Sequence, residues 1–469
     1  MNFTASSRRY LLFAFSVLGS GACSAAALNS TVGTTDADTI FAGSFELGET
    51  VEQPGPCDGF YSDSFTLDEG ELSPELVQFP KPNKGVVLTE LGMGTCMVRA
   101  TIHDVEPPVT FARNDYSRRE SFNSDDSMLL VNAGNGFWHV YNANTLAYGK
   151  ELDDVLGDAE PQWDRTDPNS MYYIPRNGGT QIRKLDVAQN THTVVANLTT
   201  GLPSWAAGAA HIWTRSEGSP SADQRYWGFQ IEDGNFNTLG FMVWDLQQNQ
   251  LVGTMQWTSR PDHVSMTPSG RWFTSSSDSD GTWAWSPDFT QKKKLHHKSE
   301  HSDLAIGANG HDIYASIDYE TNYGDVFFTD IDACPAVPAT ATDAPMCPRT
   351  VLFHTYVNGS TTGMHFSGKA FDNPGWVLIG TYGTNPSRDG TYPWFRSKLF
   401  AMELNAAPRV YELGFHRGIP DGYWTEPHAS PDRTLSRLMF NTNWGVTSTT
   451  DVDDYMIQLP PGGIPPANP

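Results

Sequence analysis

The sequence predicts an all-β fold: a seven-bladed β-propeller preceded by an irregular N-terminal extension. From about residue 84 to about 460, short strand-like runs alternate with Gly, Asn and Asp turns, and almost no helical pattern occurs. Within this region one segment pattern recurs seven times. The 469 residues, 39% of them hydrophobic, are enough to bury a sizeable core. We therefore expect one propeller over residues 85–460.

Each repeat begins with a polar or His-containing opener, followed by a small-residue strand, a strand rich in Tyr, Phe or Trp, a loop and a third strand. The openers are Asn114-Asp115-Tyr116, Glu160-Pro161-Gln162-Trp163, His211-Ile212-Trp213, Asp262-His263-Val264, His301-Ser302-Asp303, Met364-His365-Phe366 and Pro427-His428-Ala429. Their spacing falls around the ~40–50 residues of a four-stranded blade. The last repeat contains only three strands, so we expect a segment before Phe111 to complete it and close the ring.

The two ends of the chain have other compositions. Residues 1–27 contain Arg8 and Arg9, an apolar run and small residues, which is typical of a twin-arginine-like signal peptide and predicts a secreted or periplasmic protein. Residues 28–84 are predicted to be a linker and extension, and residues 461–469 a Pro/Gly-rich tail. No other run approaches the ~20 apolar residues of a membrane-spanning helix, so none is predicted.

Four cysteines remain once the signal peptide is removed, and in an oxidising compartment they predict disulfides. Cys334 and Cys347 flank a Pro- and Ala-rich insertion, so we expect them to pair with each other. This leaves Cys57 to pair with Cys96.

The balance of charges limits the partners. The chain has 54 acidic and 30 basic side chains, for a formal net charge of -24. Such a chain repels nucleic acid, so no nucleic-acid partner is expected. An anionic ligand would need a local basic pocket.

The propeller geometry predicts where polar residues converge. In a four-stranded blade, the start of the innermost strand and the loop between the second and third strands lie on the same face. The openers therefore place five His residues, together with Arg260, around one rim: His211, His263, His301, His365 and His428. We predict that His301, His365 and His428 hold a structural divalent cation, Zn or Ca. The alternative is that these repeated His residues are structural and hydrogen-bond between blades.

Several enzyme motifs are absent. The sequence has no Gly-x-Ser-x-Gly, no phosphate-binding loop, no dinucleotide fingerprint and no His-Glu-x-x-His. No organic cofactor is therefore predicted. A glycoside hydrolase remains an alternative, with Glu160 and Asp303 as its carboxylate pair.

Three segments carry a family resemblance: Tyr141-Asn142-Ala143-Asn144-Thr145-Leu146 after a Trp-His strand, Gly157-Asp158-Ala159-Glu160-Pro161-Gln162-Trp163, and Glu426-Pro427-His428-Ala429-Ser430-Pro431-Asp432. On these motifs the chain resembles the propeller-type polysaccharide lyases over roughly residues 110–460. It is most similar to the ulvan lyases of polysaccharide lyase family 24 and more distantly similar to the oligogalacturonate lyases.

The resemblance implies β-elimination at a uronic acid of an acidic, sulfated polysaccharide. This chemistry needs a group that neutralises the carboxylate, a base for the C5 proton and an acid for the leaving oxygen. The matching positions imply His139 as base, also able to act as the acid, and Arg260 as the carboxylate clamp. Further substrate contacts are expected from rim residues: Arg176, His211, His263, Tyr319, Tyr382 and Trp444. The alternative from another class is a noncatalytic secreted propeller that binds glycan or protein.

Overall fold

The computed structural model describes residues 54–468, and these contain no α-helix. Two short 3-10 helices are present, Ser204–Ala206 and Tyr423–Thr425. The predicted signal peptide (1–27) and the first part of the predicted extension (28–53) lie outside the described residues.

Residues 54–468 contain thirty strands, which in chain order are β1 (Val87–Thr89), β2 (Cys96–Arg99), β3 (Phe111–Arg113), β4 (Met128–Ala133), β5 (Phe137–Asn142), β6 (Tyr148–Leu156), β7 (Gln162–Trp163), β8 (Ser170–Tyr173), β9 (Gln181–Asp186), β10 (Thr191–Asn197), β11 (Ala209–Trp213), β12 (Tyr226–Asp233), β13 (Thr238–Asp245), β14 (Gln250–Gln256), β15 (His263–Met266), β16 (Phe273–Ser277), β17 (Gly281–Trp285), β18 (Gln291–His296), β19 (Ser302–Ile306), β20 (Asp312–Asp318), β21 (Asp325–Asp330), β22 (Val337–Pro338), β23 (Thr350–His354), β24 (Thr361–Ser367), β25 (Trp376–Asn385), β26 (Lys398–Glu403), β27 (Val410–Phe415), β28 (Ser430–Pro431), β29 (Arg437–Thr442) and β30 (Val452–Gln458).

These strands form seven antiparallel blades, as the repeat predicts. Blades 2 to 6 are separate sheets: β7 to β10, β11 to β14, β15 to β18 with β22 added, β19 to β21 with β23, and β24 to β27. Blade 1 is β3 to β6, and blade 7 consists of β28, β29, β30, β2 and β1. Blades 1 and 7 join in one sheet because β3 pairs in parallel with β30. The predicted seven-bladed propeller is confirmed.

The ring is closed by a strand from before Phe111, as predicted. Strand β30 pairs with β29 on one side and with β2 on the other, where Cys96 lies opposite Gln458. The hydroxyl of Tyr61 donates to the Gln458 carbonyl at 2.6 Å. A disulfide joins Cys57 to Cys96, and a second joins Cys334 to Cys347, so both predicted pairings are confirmed. Blade 7 therefore combines strands from before Phe111 with strands from the C-terminal part of the propeller.

The segments outside the repeats pack on blade 6 and its neighbour. In the extension, the backbone N–H of Leu72 donates to the Glu412 carboxylate at 2.9 Å. In the tail, the Pro465 carbonyl accepts from Trp376 Nε1 at 3.0 Å. Leu67 and Ile464 belong to the same apolar cluster. The extension and the tail therefore contribute to the core despite their irregular backbone.

Acid should destabilise the fold partly through His416, which follows β27 and is 1% exposed. Its Nε2–H donates to the Thr381 carbonyl at 2.8 Å, and its Nδ1 accepts from the Gly418 N–H at 2.9 Å, so the site holds a neutral imidazole. Burial lowers the pKa of His416 to about 4. Below pH 6.5 the unfolded chain binds a proton here, whereas the folded protein does so only near pH 4, so stability falls as pH falls through this window.

The His416→Gln side chain can replace both hydrogen bonds and does not take up a proton. We therefore expect this variant to lose up to about 3 kcal/mol less unfolding free energy than wild type when the pH is lowered. Urea unfolding at pH 7 and pH 4.5 measures it. His354→Gln serves as the control for replacing a histidine at the surface, since this side chain is 52% exposed. An equal pH difference in wild type and His416→Gln would contradict the assignment.

Candidate functional site

The polypeptide after β3 leaves blade 1 and reaches the inner ends of other blades. Residues 114–121, here called the channel segment, contact several blades at once. The Arg118 guanidinium donates to the backbone carbonyl of Ser302, at the start of blade 5. Arg119 donates to the carbonyl of Pro161, at the start of blade 2, at 3.2 Å. The short inner strand β3 thus allows blade 1 to send charged side chains to the inner ends of the other blades.

The openers of blades 5, 6 and 7 bring three imidazole rings into a stack. The ring centroids of His301 and His365 lie 4.4 Å apart, and those of His365 and His428 also lie 4.4 Å apart. Tyr116 of the channel segment packs against His365 at 5.4 Å and His428 at 5.1 Å. Tyr382, near the end of β25, stacks on His365 at 5.1 Å. The regular recurrence of the opener therefore gathers residues that are distant in sequence.

Charged groups border this stack. Arg118 Nη1 donates to Glu217 Oε2 at 3.0 Å, and the same Glu217 oxygen lies 3.9 Å from His263 Nδ1. Glu426 Oε2 lies 2.8 Å from His365 Nε2. The full set is here called the central cluster: Tyr116, Arg118, Glu217, His263, His301, His365, Tyr382, Tyr423, Glu426 and His428.

The three predicted metal ligands do lie together, but the group whose ligand atoms come close enough to share an ion is slightly different. One ligand atom each from His365, Glu426 and His428 lie within 4.8 Å of one another. Glu426 thus takes the place that the sequence suggested for His301. Two imidazoles and a carboxylate are a donor set that suits a divalent transition metal.

Hydrogen bonds orient the rings of the stack. His301 Nδ1 donates to the Met364 carbonyl at 2.7 Å, and His428 Nε2 donates to the Tyr423 carbonyl at 3.0 Å. The Nδ1 atoms of His365 and His428 are buried and have no hydrogen-bond partner among the described residues. A ring that is tied at one nitrogen and bare at the other is the arrangement expected of a metal-ligating or proton-accepting His.

Burial shifts the pKa values of the His and Tyr residues of the cluster in opposite directions. Burial, followed by the neighbouring imidazole, lowers the pKa of His365 and of His428 well below the ordinary range. Burial also raises the pKa of Tyr116 and of Tyr382 well above that of a free phenol. At neutral pH the cluster therefore contains neutral imidazoles, which can accept a proton, and protonated phenols, which can donate one.

Glu217 and His263 form the second half of the cluster. Burial raises the pKa of Glu217 to about 7, although Arg118 opposes the shift. Burial lowers the pKa of His263 well below its ordinary value, and its Nδ1 has no hydrogen-bond partner within the part of the chain described. The Glu217 side chain is 30% exposed, so solvent reaches the cluster at this point. His263 is thus a neutral imidazole close to solvent.

The residues predicted to be catalytic lie apart from this cluster. His139 in β5 is fully buried; its Nδ1 lies 3.1 Å from the Tyr148 hydroxyl and its Nε2 lies 3.2 Å from Asn135 Oδ1. Burial lowers the pKa of His139 to about 4. Arg260 is exposed in the connection between β14 and β15. Within residues 54–468, no hydrogen bond, ion pair or ring contact joins either of them to the central cluster.

The residues predicted to bind substrate are dispersed. His263 and Tyr382 belong to the central cluster, and the Tyr319 hydroxyl donates nearby to the carbonyl of Thr362 at 3.2 Å. Arg176 is exposed in the loop between β8 and β9.

His211 and Trp444 occupy other surroundings. His211 Nδ1 lies 2.9 Å from the Asn177 carbonyl, and its ring stacks on Phe236 at 3.9 Å. Trp444 is 4% exposed and stacks on Tyr455 at 4.6 Å. Its indole belongs to the apolar cluster beneath the N-terminal extension, so neither ring face is open to a sugar.

Five members of the central cluster were not selected from the sequence: Tyr116, Arg118, Glu217, Tyr423 and Glu426. Tyr116 closes the first opener, and Glu426 directly precedes the last one, so the repeat itself contained a signal for these two. Arg118, Glu217 and Tyr423 lie in connections of irregular length, where no periodicity marks them.

The carboxylates suggested for a glycoside hydrolase have structural partners. Glu160 accepts hydrogen bonds from the backbone N–H groups of Thr214 at 3.0 Å and Ser216 at 2.6 Å. Asp303 accepts from the Gly368 N–H at 2.7 Å and pairs with Lys369 Nζ at 3.3 Å. Both carboxylates bind elements of neighbouring blades, so the pair gives no support to a hydrolase.

The fold and the cluster together define a β-propeller with a polar, histidine-rich centre. No protein-family model matches the sequence, and no curated protein matches it. Among solved structures, the chain is similar to an oligogalacturonate lyase from Vibrio parahaemolyticus, with a TM-score of 0.52 and 12% sequence identity over 84% of this chain and 98% of that chain. At this identity the likeness supports the propeller fold and does not identify the ulvan lyase family. No helix within the described range is long and apolar enough to cross a membrane.

Proposed function

We propose that the protein is an exported lyase that cleaves a uronic-acid-containing polysaccharide by β-elimination at the central cluster. One observation carries the proposal: neutral imidazoles, protonated phenols and a buried guanidinium lie together at the inner ends of the blades. Elimination needs a proton acceptor, a proton donor and a positive group at the carboxylate, and the cluster contains all three. The two disulfides support an oxidising compartment.

The roles follow from protonation states and positions. His263 accepts the C5 proton, because its imidazole is neutral and its Nδ1 has no hydrogen-bond partner in the described part of the chain. Tyr382 donates a proton to the leaving oxygen as the C4–O bond breaks and the C4–C5 double bond forms. Its phenol is protonated at neutral pH, and after each turnover it takes up a proton from solvent while His263 returns the C5 proton to solvent.

The positive charge has two sources in this proposal. Arg118 is oriented by Ser302 and Glu217 and presents its guanidinium to the uronate carboxylate. His365, Glu426 and His428 would hold a divalent cation, which would withdraw electron density from that carboxylate and so make the C5 proton more acidic. The bare Nδ1 atom of His428 fits such an ion.

The rim contributes binding rather than chemistry. Arg260 and Arg176 are exposed and can pair with carboxylate or sulfate groups of neighbouring sugars. We do not assign the base to His139, because both of its ring nitrogens have partners and its side chain is fully buried. The first substrates to test are ulvan, which the sequence resemblance suggests, and oligogalacturonate, which is the substrate in the name of the structurally similar lyase.

Trp424 should hold a sugar ring beside the cluster. Its indole is 44% exposed, lies on the Arg113 guanidinium at 3.8 Å and meets the Tyr423 ring at 4.7 Å. Trp424→Ala should raise KM about fivefold with little change in kcat, in line with the ~1 kcal/mol of one aromatic contact. Tyr392→Ala is the matched control, since this ring is 43% exposed and lies on Arg396 at 3.5 Å.

KM and kcat, measured by steady-state kinetics with the polysaccharide that the protein cleaves, distinguish the two variants. An unchanged KM in Trp424→Ala, or an equal rise in Tyr392→Ala, would contradict this role for Trp424.

The function is tested by ultraviolet absorbance of purified mature protein with ulvan, oligogalacturonate, pectate, alginate and glucuronan. An unsaturated uronate absorbs in the ultraviolet, so a rise with one of them establishes elimination and identifies the substrate. Release of reducing ends without absorbance would indicate a hydrolase. A flat trace with folded protein across the panel would favour the noncatalytic glycan- or protein-binding propeller.

A further inference from the structure

A second group of potential metal ligands lies where the outer strand of blade 4 meets blade 5. His296 ends β18, His297 follows it, and Asp318 ends β20. The three residues line a surface cavity of about 360 Å³ together with Met346 and Arg349. Among the described residues, no hydrogen bond, ion pair or ring contact connects this group to the central cluster.

The ligand atoms face one another. His296 Nε2 lies 3.6 Å from Asp318 Oδ2, and His297 Nδ1 lies 3.9 Å from the same oxygen. One potential ligand atom from each of the three residues lies within 4.8 Å of the others. Donors held at 2.0–2.2 Å around a tetrahedral ion are about 3.4 Å apart, so a small movement of the exposed His297 completes the geometry.

His296 provides an independent indication of a ligand-binding site. Its side chain is 1% exposed, and its Nε2 is buried without a hydrogen-bond partner in the described chain. The other nitrogen, Nδ1, lies 3.2 Å from the Lys298 backbone nitrogen and 3.1 Å from the Lys298 carbonyl. When Nδ1 donates to the carbonyl, Nε2 keeps a lone pair 3.6 Å from Asp318 Oδ2, and a buried polar atom without a partner is costly.

The surroundings complete the pattern of a metal site. His297 Nε2 lies 3.0 Å from Glu320 Oε2, an arrangement in which a carboxylate fixes the tautomer of a ligating His. Arg349 Nη1 donates to Asp318 Oδ2 at 2.7 Å, which leaves that oxygen a second lone pair. Asp318, Glu320 and Asp325 outnumber Arg349 and Lys298, so the local charge favours a cation.

A third group with similar spacing lacks these properties. His103, Asp451 and Asp453 lie close enough to share an ion, but Lys81 and Arg99 already pair with the carboxylates at 2.5 to 2.8 Å. The positive charges of Lys81 and Arg99 balance the two carboxylates, so no net negative charge remains to attract a metal ion. Close spacing alone is therefore not sufficient, and His296 with its bare nitrogen distinguishes the site between blades 4 and 5.

We propose that His296, His297 and Asp318 form a second divalent-cation site, selective for Zn²⁺-like ions, that links blade 4 to blade 5. Water fills the remaining coordination positions. The ion would also fix the short connection that leads to His301 of the central cluster. This inference is independent of the proposed lyase function.

The test uses the mature protein, Zn²⁺ as the probe and His297→Gln as the variant, because His297 is 39% exposed and its replacement leaves the core intact. After equilibration with buffered micromolar Zn²⁺, the bound metal is measured by mass spectrometry. We expect His297→Gln to bind one equivalent less than wild type. His311→Gln is the matched control: this His is 42% exposed, pairs with Asp330 and should bind as much Zn²⁺ as wild type.

Thermal unfolding supplies a second readout. With a chelator present, wild type and His297→Gln should unfold at similar temperatures, and Zn²⁺ should raise the wild-type midpoint more than that of the variant. Equal Zn²⁺ content in wild type and His297→Gln would overturn the proposal. An equal loss in His311→Gln would also overturn it, since it would indicate adventitious binding to exposed His residues.

Discussion

Replacing His263 with Gln should lower the rate of eliminative cleavage by about 10²- to 10⁴-fold, the usual contribution of a positioned acid or base. The amide keeps the hydrogen-bonding capacity of the site but cannot take the C5 proton. Initial rates of the ultraviolet absorbance increase measure the effect. His192→Gln is the matched control, because its Nε2 is likewise buried without a hydrogen-bond partner among the described residues, but on the outer strand of blade 2.

The same measurement on His139→Gln distinguishes the two assignments of the base. If His263→Gln stays fully active while His139→Gln loses activity, then His139 is the base, as the sequence resemblance implies, and the assignment of the base to His263 in the central cluster is wrong. If both variants keep full activity in folded protein, neither residue takes the proton.

Breaking the ion pair of Arg417 and Glu90 should cost about 3–5 kcal/mol of unfolding free energy, because the partner charge would remain buried alone. Both side chains are 1% exposed, and the guanidinium binds both carboxylate oxygens at 2.5 Å. Glu90 lies in the hairpin between β1 and β2, so the pair attaches the ring-closing strands to the end of blade 6. Arg417→Met, measured by urea unfolding, tests this.

Arg271→Met provides the comparison. Its guanidinium pairs with Asp332 but is 49% exposed, so the loss should stay below about 1 kcal/mol. Equal losses of unfolding free energy in Arg417→Met and Arg271→Met would contradict the inference that burial makes the Arg417–Glu90 pair costly to break.

The seven blades and the gathered His residues could be predicted because both follow from a repeat. An opener at the start of each inner strand places one residue per blade near the axis, and this places His301, His365 and His428 in contact. Arg118 could not be predicted, because it acts from the channel segment, where the chain leaves the repeat after the short strand β3. Its partners Ser302 and Glu217 come from two other blades.

The surroundings of aromatic residues in loops could not be predicted from the repeat. Trp444 lies in a rim loop and was expected to contact substrate, yet the N-terminal extension covers it, and its Nε1 donates to the Phe79 carbonyl at 3.0 Å. The extension has no periodicity, so its path could not be derived from the repeat. Trp424, which is exposed beside the cluster, has no feature in the sequence that distinguishes it from Trp444.

The ring closure determines when the central cluster can exist. Tyr116 follows the inner strand of blade 1, and His428 precedes that of blade 7, so the two rings meet across the seam where β30 pairs with β2 and β3. Strand β30 is the last strand in the described part of the chain, so the two rings can meet only when the C-terminal blade is in place. The proposed activity would therefore depend on the C-terminal blade, even in a chain whose other blades had already formed.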